Sequence, residues 1–332
     1  MQLNRQRPYF FITLLIRLAF SLALCWYLYN LLTPAGSGSV ARTISFQSGD
    51  SVKKLAADME KEGIIRSSKH FVLATRLRGL AEKLQAGYYT LDDSMTTGAI
   101  LHKIVSGDID FRRFTLPEGY SMYQAAELLE KYGYFSKKAF LEACRSPQLL
   151  KDFGIQADSA EGYLFPATYK LPLKYSEEQL VKTMIEKFLR EFSELYAGDR
   201  EIGLSRHELL TLASIIEKEA VKNEEKPLIA SVFYNRLRSG MPLQSDPTAV
   251  YGVRPFAGKV KKADILRNTP YNTYKIKGLP PGPIGNPGKE ALQASLNPAE
   301  SDYYYFVARK DGTHHFSRTL SDHNLAVARY LK

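Results

Sequence analysis

Ser205-Arg206-His207-Glu208-Leu209-Leu210-Thr211-Leu212-Ala213-Ser214-Ile215-Ile216-Glu217-Lys218-Glu219-Ala220 is the stretch on which the reading of this chain turns. Ser205 and Glu208 stand three apart, the spacing of a capping box, and an apolar run follows. A helix over 206–220 is expected. At about 100° per residue, Glu219 projects on the face of Leu212, Ile215 and Ile216. Glu217 falls on nearly the opposite side, near Leu210, Ala213 and Ser214, with Lys218 between them. Glu219 therefore extends the most apolar stripe. A carboxyl group there loses water, which disfavours its charged form and raises its pKa. A carboxyl protonated near neutral pH is what a general acid needs to protonate a glycosidic oxygen. On periodicity alone the competing reading stays open, in which Glu219 ends its helix and reaches solvent.

Downstream, Asn235-Arg236-Leu237-Arg238-Ser239-Gly240-Met241-Pro242-Leu243-Gln244-Ser245-Asp246-Pro247-Thr248 gathers hydrogen-bonding side chains around a helix end, and Tyr271-Asn272-Thr273-Tyr274 follows in another loop. Amides pair with hydroxyls and aromatic rings stack on sugar faces. Loop-stabilising turns and buried tyrosines explain the same residues without any ligand. Residues 278–288, with four prolines and four glycines, exclude helix and central strand. Tyr303–Ala308 is the best strand in the chain.

Upstream, Thr43–Phe46 alternates as a strand, and helices are expected over Ser51–Gly63, Lys69–Arg78 and Thr97–Ser106, with a strand at Gly87–Leu91. A strand and turn at Phe114–Tyr120 precede a helix at Ser121–Tyr132. Glu161–Tyr169 is aromatic, broken by proline and irregular, suited either to lining a cleft or to a buried connector. From Ser176 the chain is helical, then loop-rich after Gly240. The fold class is α+β.

The N-terminus sets the compartment. Tyr9–Leu32 is apolar apart from Arg17 and is long enough to cross a hydrocarbon core. Arg17 lies in the first half, where a long side chain snorkels. Arg5 and Arg7 precede the span and a polar linker, 33–42, follows it, so residues 1–8 are expected in the cytoplasm and the rest outside. A signal peptide cut near Ser39-Val40-Ala41 is the alternative. Either way the body works beyond the cytoplasmic membrane, which makes nucleic acid an unsuitable partner for the +10 formal charge and leaves anionic lipid or an acidic polymer. With only Cys25 and Cys144, no disulfide framework or cysteine metal site is available outside the span. His314, His315 and His323 have no carboxylate at familiar ligand spacing, so neither a metal nor a cofactor is expected.

Several blocks carry a resemblance. Ala213–Glu219, Ala230–Leu237, Leu243–Thr248, Tyr271–Tyr274, Gly278–Ile284 and Tyr305–Ala308 resemble, in order and over nearly the whole exported chain, the MltG (YceG-like) endolytic murein transglycosylases. The resemblance implies a LysM-like subdomain at 43–110, a YceG-like catalytic region at 111–332, and Glu219 as catalytic glutamate. It implies cleavage between N-acetylmuramic acid and N-acetylglucosamine without added water, leaving 1,6-anhydro ends, and a partnership with peptidoglycan synthases. Asn235, Gln244, Asp246, Tyr271, Asn272 and Tyr274 are the candidate substrate contacts. Asp246 is also the candidate second carboxylate of a rival hydrolase, although ordering its own loop with Pro247 and Thr248 is the simpler role. A non-catalytic wall-binding scaffold is the other rival. Asn286, in Gly285-Asn286-Pro287-Gly288, is given no role.

Overall fold

The apolar run at the N-terminus forms one helix. In the computed structural model, which describes residues 7–196, 203–254 and 260–331, α1 spans Arg7–Leu32. Its Phe11–Leu32 portion has a mean hydropathy of 2.0 and turns large apolar side chains such as Phe20 and Leu22 outward. Length and composition fit a single-pass membrane anchor. Residues 1–6, most of the expected tail, lie outside the described residues.

The last turn of α1 differs from the rest. Leu31 is buried, and Tyr27 packs on the same apolar cluster, which belongs to the first of two units into which the chain divides. That unit runs to Arg112 and includes Lys170–Lys174. It contains β1 (Ala41–Phe46), α2 (Val52–Lys61), α3 (Ser68–Leu77), β2 (Gly87–Asp92) and α4 (Thr97–Val105). The strands pair antiparallel with Ile44 opposite Tyr89, so period-two alternation turns Ile44, Phe46, Tyr89 and Leu91 inward onto Met59, Phe71 and Ile100. Ser51 and Thr96 cap α2 and α4 by accepting from the N–H groups of Lys54 and Ala99. The segment after α1 is ordered by Asp93, whose carboxylate accepts from the N–H of Gly38 (2.7 Å) and of Val40 (3.2 Å).

The chain passes between the units within β3 (Phe111–Thr115) and β4 (Thr168–Pro172), which form a two-stranded sheet. The second unit is mainly helical. It holds α5 (Met122–Lys131), α6 (Lys137–Cys144), α7 (Pro147–Asp152), α8 (Glu177–Leu195), α9 (Arg206–Glu219), a 3-10 turn at Asn223–Glu225, α10 (Lys226–Arg238), α11 (Asp246–Val250), α12 (Lys262–Leu266) and α13 (Lys289–Leu296). It closes with the hairpin β5 (Tyr305–Ala308) and β6 (His314–Ser317) and with α14 (Leu320–Tyr330). β5 begins two residues later than its aromatic run suggests. Thr168 and Tyr169 belong to β4 instead of continuing the irregular 161–167 segment.

α9 is the axis of this unit. Every residue from Leu209 to Ile216 is buried, against α10, α13 and Leu243. The stripe through Leu212, Ile215 and Ile216 is thus only one of the buried faces of this helix: Leu210, Ala213 and the hydroxyls of Thr211 and Ser214 are enclosed as well. Residues 282–288 are likewise buried, unusual for a loop. Glycine allows it, since a Cβ on Gly285 would stand 2.6 Å from the Gly119 carbonyl oxygen.

Candidate active site

Glu217, Lys218 and Glu219 end α9 about 100° apart and enter three different surroundings. Glu217 turns into the interior. It takes the Lys226 ammonium at 3.0 Å and the Gly288 N–H at 2.9 Å, and both members of the ion pair are buried. Glu219 is the other acid, half-buried. Ser245, just before α11, donates its hydroxyl to Glu219 Oε1 at 2.5 Å. Desolvation lifts the Glu219 carboxyl to about 7. The Ser245 hydroxyl, the Arg236 guanidinium and the Asp246 N–H pull it down, while the Asp246 carboxylate pushes it further up. Burial alone does not separate the two glutamates. Glu217 has a cation within hydrogen-bonding distance, whereas Glu219 has a neutral hydroxyl and a like charge.

The Ser245–Asp246 turn is knitted to the 271–274 loop through threonines. Thr273 Oγ1 accepts from the Ser245 N–H (2.9 Å) and pairs with Thr248 Oγ1 (2.8 Å), which donates to the Ser245 carbonyl. Ordering of this loop, assigned to Asp246 from sequence, therefore runs through Ser245, Thr248 and Thr273. Asp246 instead accepts the Tyr274 phenol at 2.7 Å. Gln244 has φ +50°, rare for a residue with a side chain, and it is exposed beside Ser245. Arg236 is buried. Its guanidinium donates to the carbonyls of Leu243 and Tyr304, both at 2.7 Å, bracing the turn from below.

The remaining candidates fall elsewhere. Asn235 donates to the carbonyls of Ser301 and Tyr303, both 2.9 Å, and fastens α10 to the segment before β5. Asn272 is fully buried and donates to the carbonyls of Arg267 (2.6 Å) and Ile265 (3.0 Å). Both amides are occupied by backbone. Tyr271 rests its ring on Tyr251, centroids 4.7 Å apart. His314 pairs with Glu225 at 2.8 Å and His315 with Arg309 at 3.2 Å. Among the described residues no cluster of three or more His, Cys, Asp or Glu could hold a metal ion.

Lys218 lines a cavity of about 210 Å³ with Tyr123, Gln124, Pro247, Val250, Tyr251 and Arg254. Behind Tyr251 lies Glu161, which sequence reasoning passed over. It is buried and accepts from Tyr251 (2.9 Å), the Met122 N–H (3.0 Å) and Asn286 Nδ2 (3.1 Å). Burial pushes its carboxyl up to about 7 against those donors. Asn286, given no role from sequence, is wholly buried. Its amide donates to Glu161 and to the Tyr120 carbonyl and accepts the Leu164 N–H. The available signal was chemical: an amide in a loop that glycine and proline keep out of regular structure must find partners in the core.

An α+β protein with a half-buried carboxyl poised near neutrality at a helix end, beside a hydroxyl, a carboxylate and a phenol, has the constellation of a general acid–base enzyme. The comparisons with known proteins narrow that class. The model described as the YceG-like family matches residues 44–329, and the chain belongs to that family. It is similar to the endolytic murein transglycosylase of Bacillus subtilis (strain 168), 37% identical over 305 residues that cover 87% of this chain and 84% of that protein. It is also similar to the endolytic murein transglycosylase of Streptococcus pneumoniae serotype 2 (strain D39 / NCTC 7466), 32% identical over 321 residues, 87% of this chain and 58% of that protein. The crystal structure of a YceG-like protein from Listeria monocytogenes superimposes with a TM-score of 0.59 at 33% identity, covering 86% of this chain and 99% of that one.

Proposed function

We propose that this chain is an endolytic peptidoglycan transglycosylase in which Glu219 is both general acid and general base. The observation that carries the reading is the Glu219 carboxyl, lifted to about 7 beside Ser245, in a chain similar over most of its length to endolytic murein transglycosylases. Glu219 gives its proton to the glycosidic oxygen between N-acetylmuramic acid and N-acetylglucosamine as the bond from C1 breaks. The muramoyl C6 hydroxyl then attacks C1 and returns its proton to Glu219. One bond breaks, one forms, no water is consumed, and the strand ends in 1,6-anhydromuramic acid. Gln244, Asp246 and Tyr274 are the proposed contacts around the acid, with Tyr271 contributing at its neighbour Tyr251. Asn235 and Asn272 are left to the scaffold because their amides are spent on carbonyls.

The test compares digests of purified glycan strands by the wild type and Glu219→Gln. Loss of a general acid lowers the rate by about 10²–10⁴-fold. Products one water heavier than anhydro ends would mean a hydrolase, and full activity in the Gln variant would remove Glu219 from the chemistry. The outward placement of residues after 32, with the short tail in the cytoplasm, follows the positive charge at Arg5 and Arg7 ahead of the span. A LysM-like role for 43–110 draws support from the β1-α2-α3-β2 order closed by antiparallel pairing. Termination of growing strands beside the synthases is the cellular role that fits such a chemistry.

A further inference from the structure

We propose that Lys218 is a substrate-binding residue whose ammonium receives a carboxylate hung from the glycan strand beside the cleaved bond. The proposal rests on the peptidoglycan reading of Glu219 and extends it to the neighbouring cavity. Lys218 is set between two acids, yet neither serves it. Glu217 is satisfied by Lys226 and the Gly288 N–H. Glu161 is satisfied by Tyr251, Met122 and Asn286. Among the described residues the Lys218 ammonium makes no hydrogen bond and no ion pair.

Its stem is packed nonetheless. A Cβ on Gly285 would crowd Lys218 Cε at 3.3 Å, and the stem also passes Gly119, so it runs between two glycine backbones and Gly285 leaves it room. This path delivers the ammonium to the cavity wall. Burial there lowers its pKa against the attraction of the Glu161 and Glu217 carboxylates, which act on it without hydrogen-bonding to it. The other charges on the wall are engaged: Arg254 binds Asp264 at 2.7 Å, and Glu127 binds Lys137 at 2.8 Å. The rest of the wall suits a sugar, with Tyr123 and Tyr251 rings 6.3 Å apart and the Gln124 amide nearby.

A half-buried ammonium that makes no hydrogen bond among the described residues, beside two tilted phenol rings, fits an anion carried by a carbohydrate. Murein offers that anion either as the free lactyl carboxylate of a muramoyl unit or as a carboxylate of its stem peptide. Glucosamine residues carry none. An endolytic enzyme must grip the strand on both sides of the cut, and Pro247, on the same turn as Ser245 and Asp246, joins this cavity to the acid.

Full-length protein in detergent, carrying Glu219→Gln to block turnover, is titrated with and without Lys218→Met. Three preparations are used: peptide-bearing strands, strands stripped to free lactyl carboxylates, and stripped strands whose carboxylates have been converted to amides. We expect Lys218→Met to weaken binding of a carboxylate-bearing preparation by about tenfold or more and to leave the amidated strands unaffected. A loss confined to peptide-bearing strands assigns the anion to the peptide, and a loss on stripped strands assigns it to the lactyl group. Lys218→Arg should retain most of the affinity, and the melting temperature of Lys218→Met should match or exceed the parent, since an unpaired cation is being removed. Equal weakening on all three preparations, no weakening on any, or a collapse of the melting temperature overturns the proposal. None of those results touches the assignment of Glu219, which the strand-cutting assay decides separately.

Discussion

At the residue scale, Glu219 is governed by what stands within one side chain of it. Between 4.5 and about 7 the folded chain holds a proton on Glu219 that the unfolded chain has released. This group's contribution to stability therefore falls as pH rises through that window and levels off above it. Glu219→Gln removes the cost of ionising the site and should melt higher than wild type at pH 8, by ~2 kcal/mol at most after allowing for its partial exposure. Equal melting curves at pH 8 would show that the carboxyl is better solvated than its surroundings suggest. In the proposed mechanism the acid form is the active one for the first step, so cutting should decline as pH passes about 7. Ser245 pulls that value down by donating to the carboxylate. Ser245→Ala should move the alkaline limb of the rate profile to higher pH, by up to about one pH unit for one lost hydrogen bond. A limb that stays in place would remove Ser245 from the tuning of the acid.

At the scale of elements, α9 is held by pairs that the local sequence does not announce. The Glu217–Lys226 pair joins the end of α9 to the start of α10 in the interior. Lys226→Met leaves Glu217 buried without its cation and should cost about 3–5 kcal/mol, read as a lower urea midpoint with an unchanged slope. The double variant with Glu217→Gln should recover a large part of that loss, and its failure to do so would show the two residues acting independently. Asn286 links its loop to two segments, those around Tyr120 and at Glu161–Leu164. Asn286→Leu strands the Leu164 N–H and removes a donor from Glu161. It should destabilise by about 2–3 kcal/mol or more, and a variant as stable as the parent would show that water replaces the amide. The α9 capping box, the alternation of β1 and the positions of α2, α4 and β2 were legible in the sequence, because caps and periodicity are written within a few residues. β6 and α13 were not singled out: β6 is four residues long, and α13 is apolar where α9 and α10 enclose it.

At the scale of the molecule, α1 has two roles along its length. From Phe11 to Trp26 it turns large apolar side chains outward, but Tyr27 and Leu31 belong to the core of the first unit, and the Asn30 carbonyl accepts from Thr97 at 3.5 Å. A protein beginning at residue 25 should leave the membrane fraction and keep a stable first unit. One beginning at residue 34 should leave the membrane equally but melt lower, having exposed Ile100 and Leu101, whose cluster Leu31 completes. Equal melting of the two truncations would show that the last turn of α1 adds nothing to the unit.

The sequence by itself determined the anchor-like helix, the α+β class, most elements and the candidate acid, because each is written in hydropathy, local spacing or an ordered set of motifs. Only the tertiary structure decided why Glu219 and not Glu217 is the poised acid. It also decided that Asn235 and Asn272 serve the scaffold, and that Glu161, Ser245, Asn286 and Lys218 matter. A side chain's chemistry is set by the charges and donors around it, and these come from residues tens of positions away: Ser245 for Glu219, Gly288 for Glu217, Glu161 for Asn286. No local pattern encodes such partners, since the same carboxylate is inert beside an ammonium and reactive beside a hydroxyl.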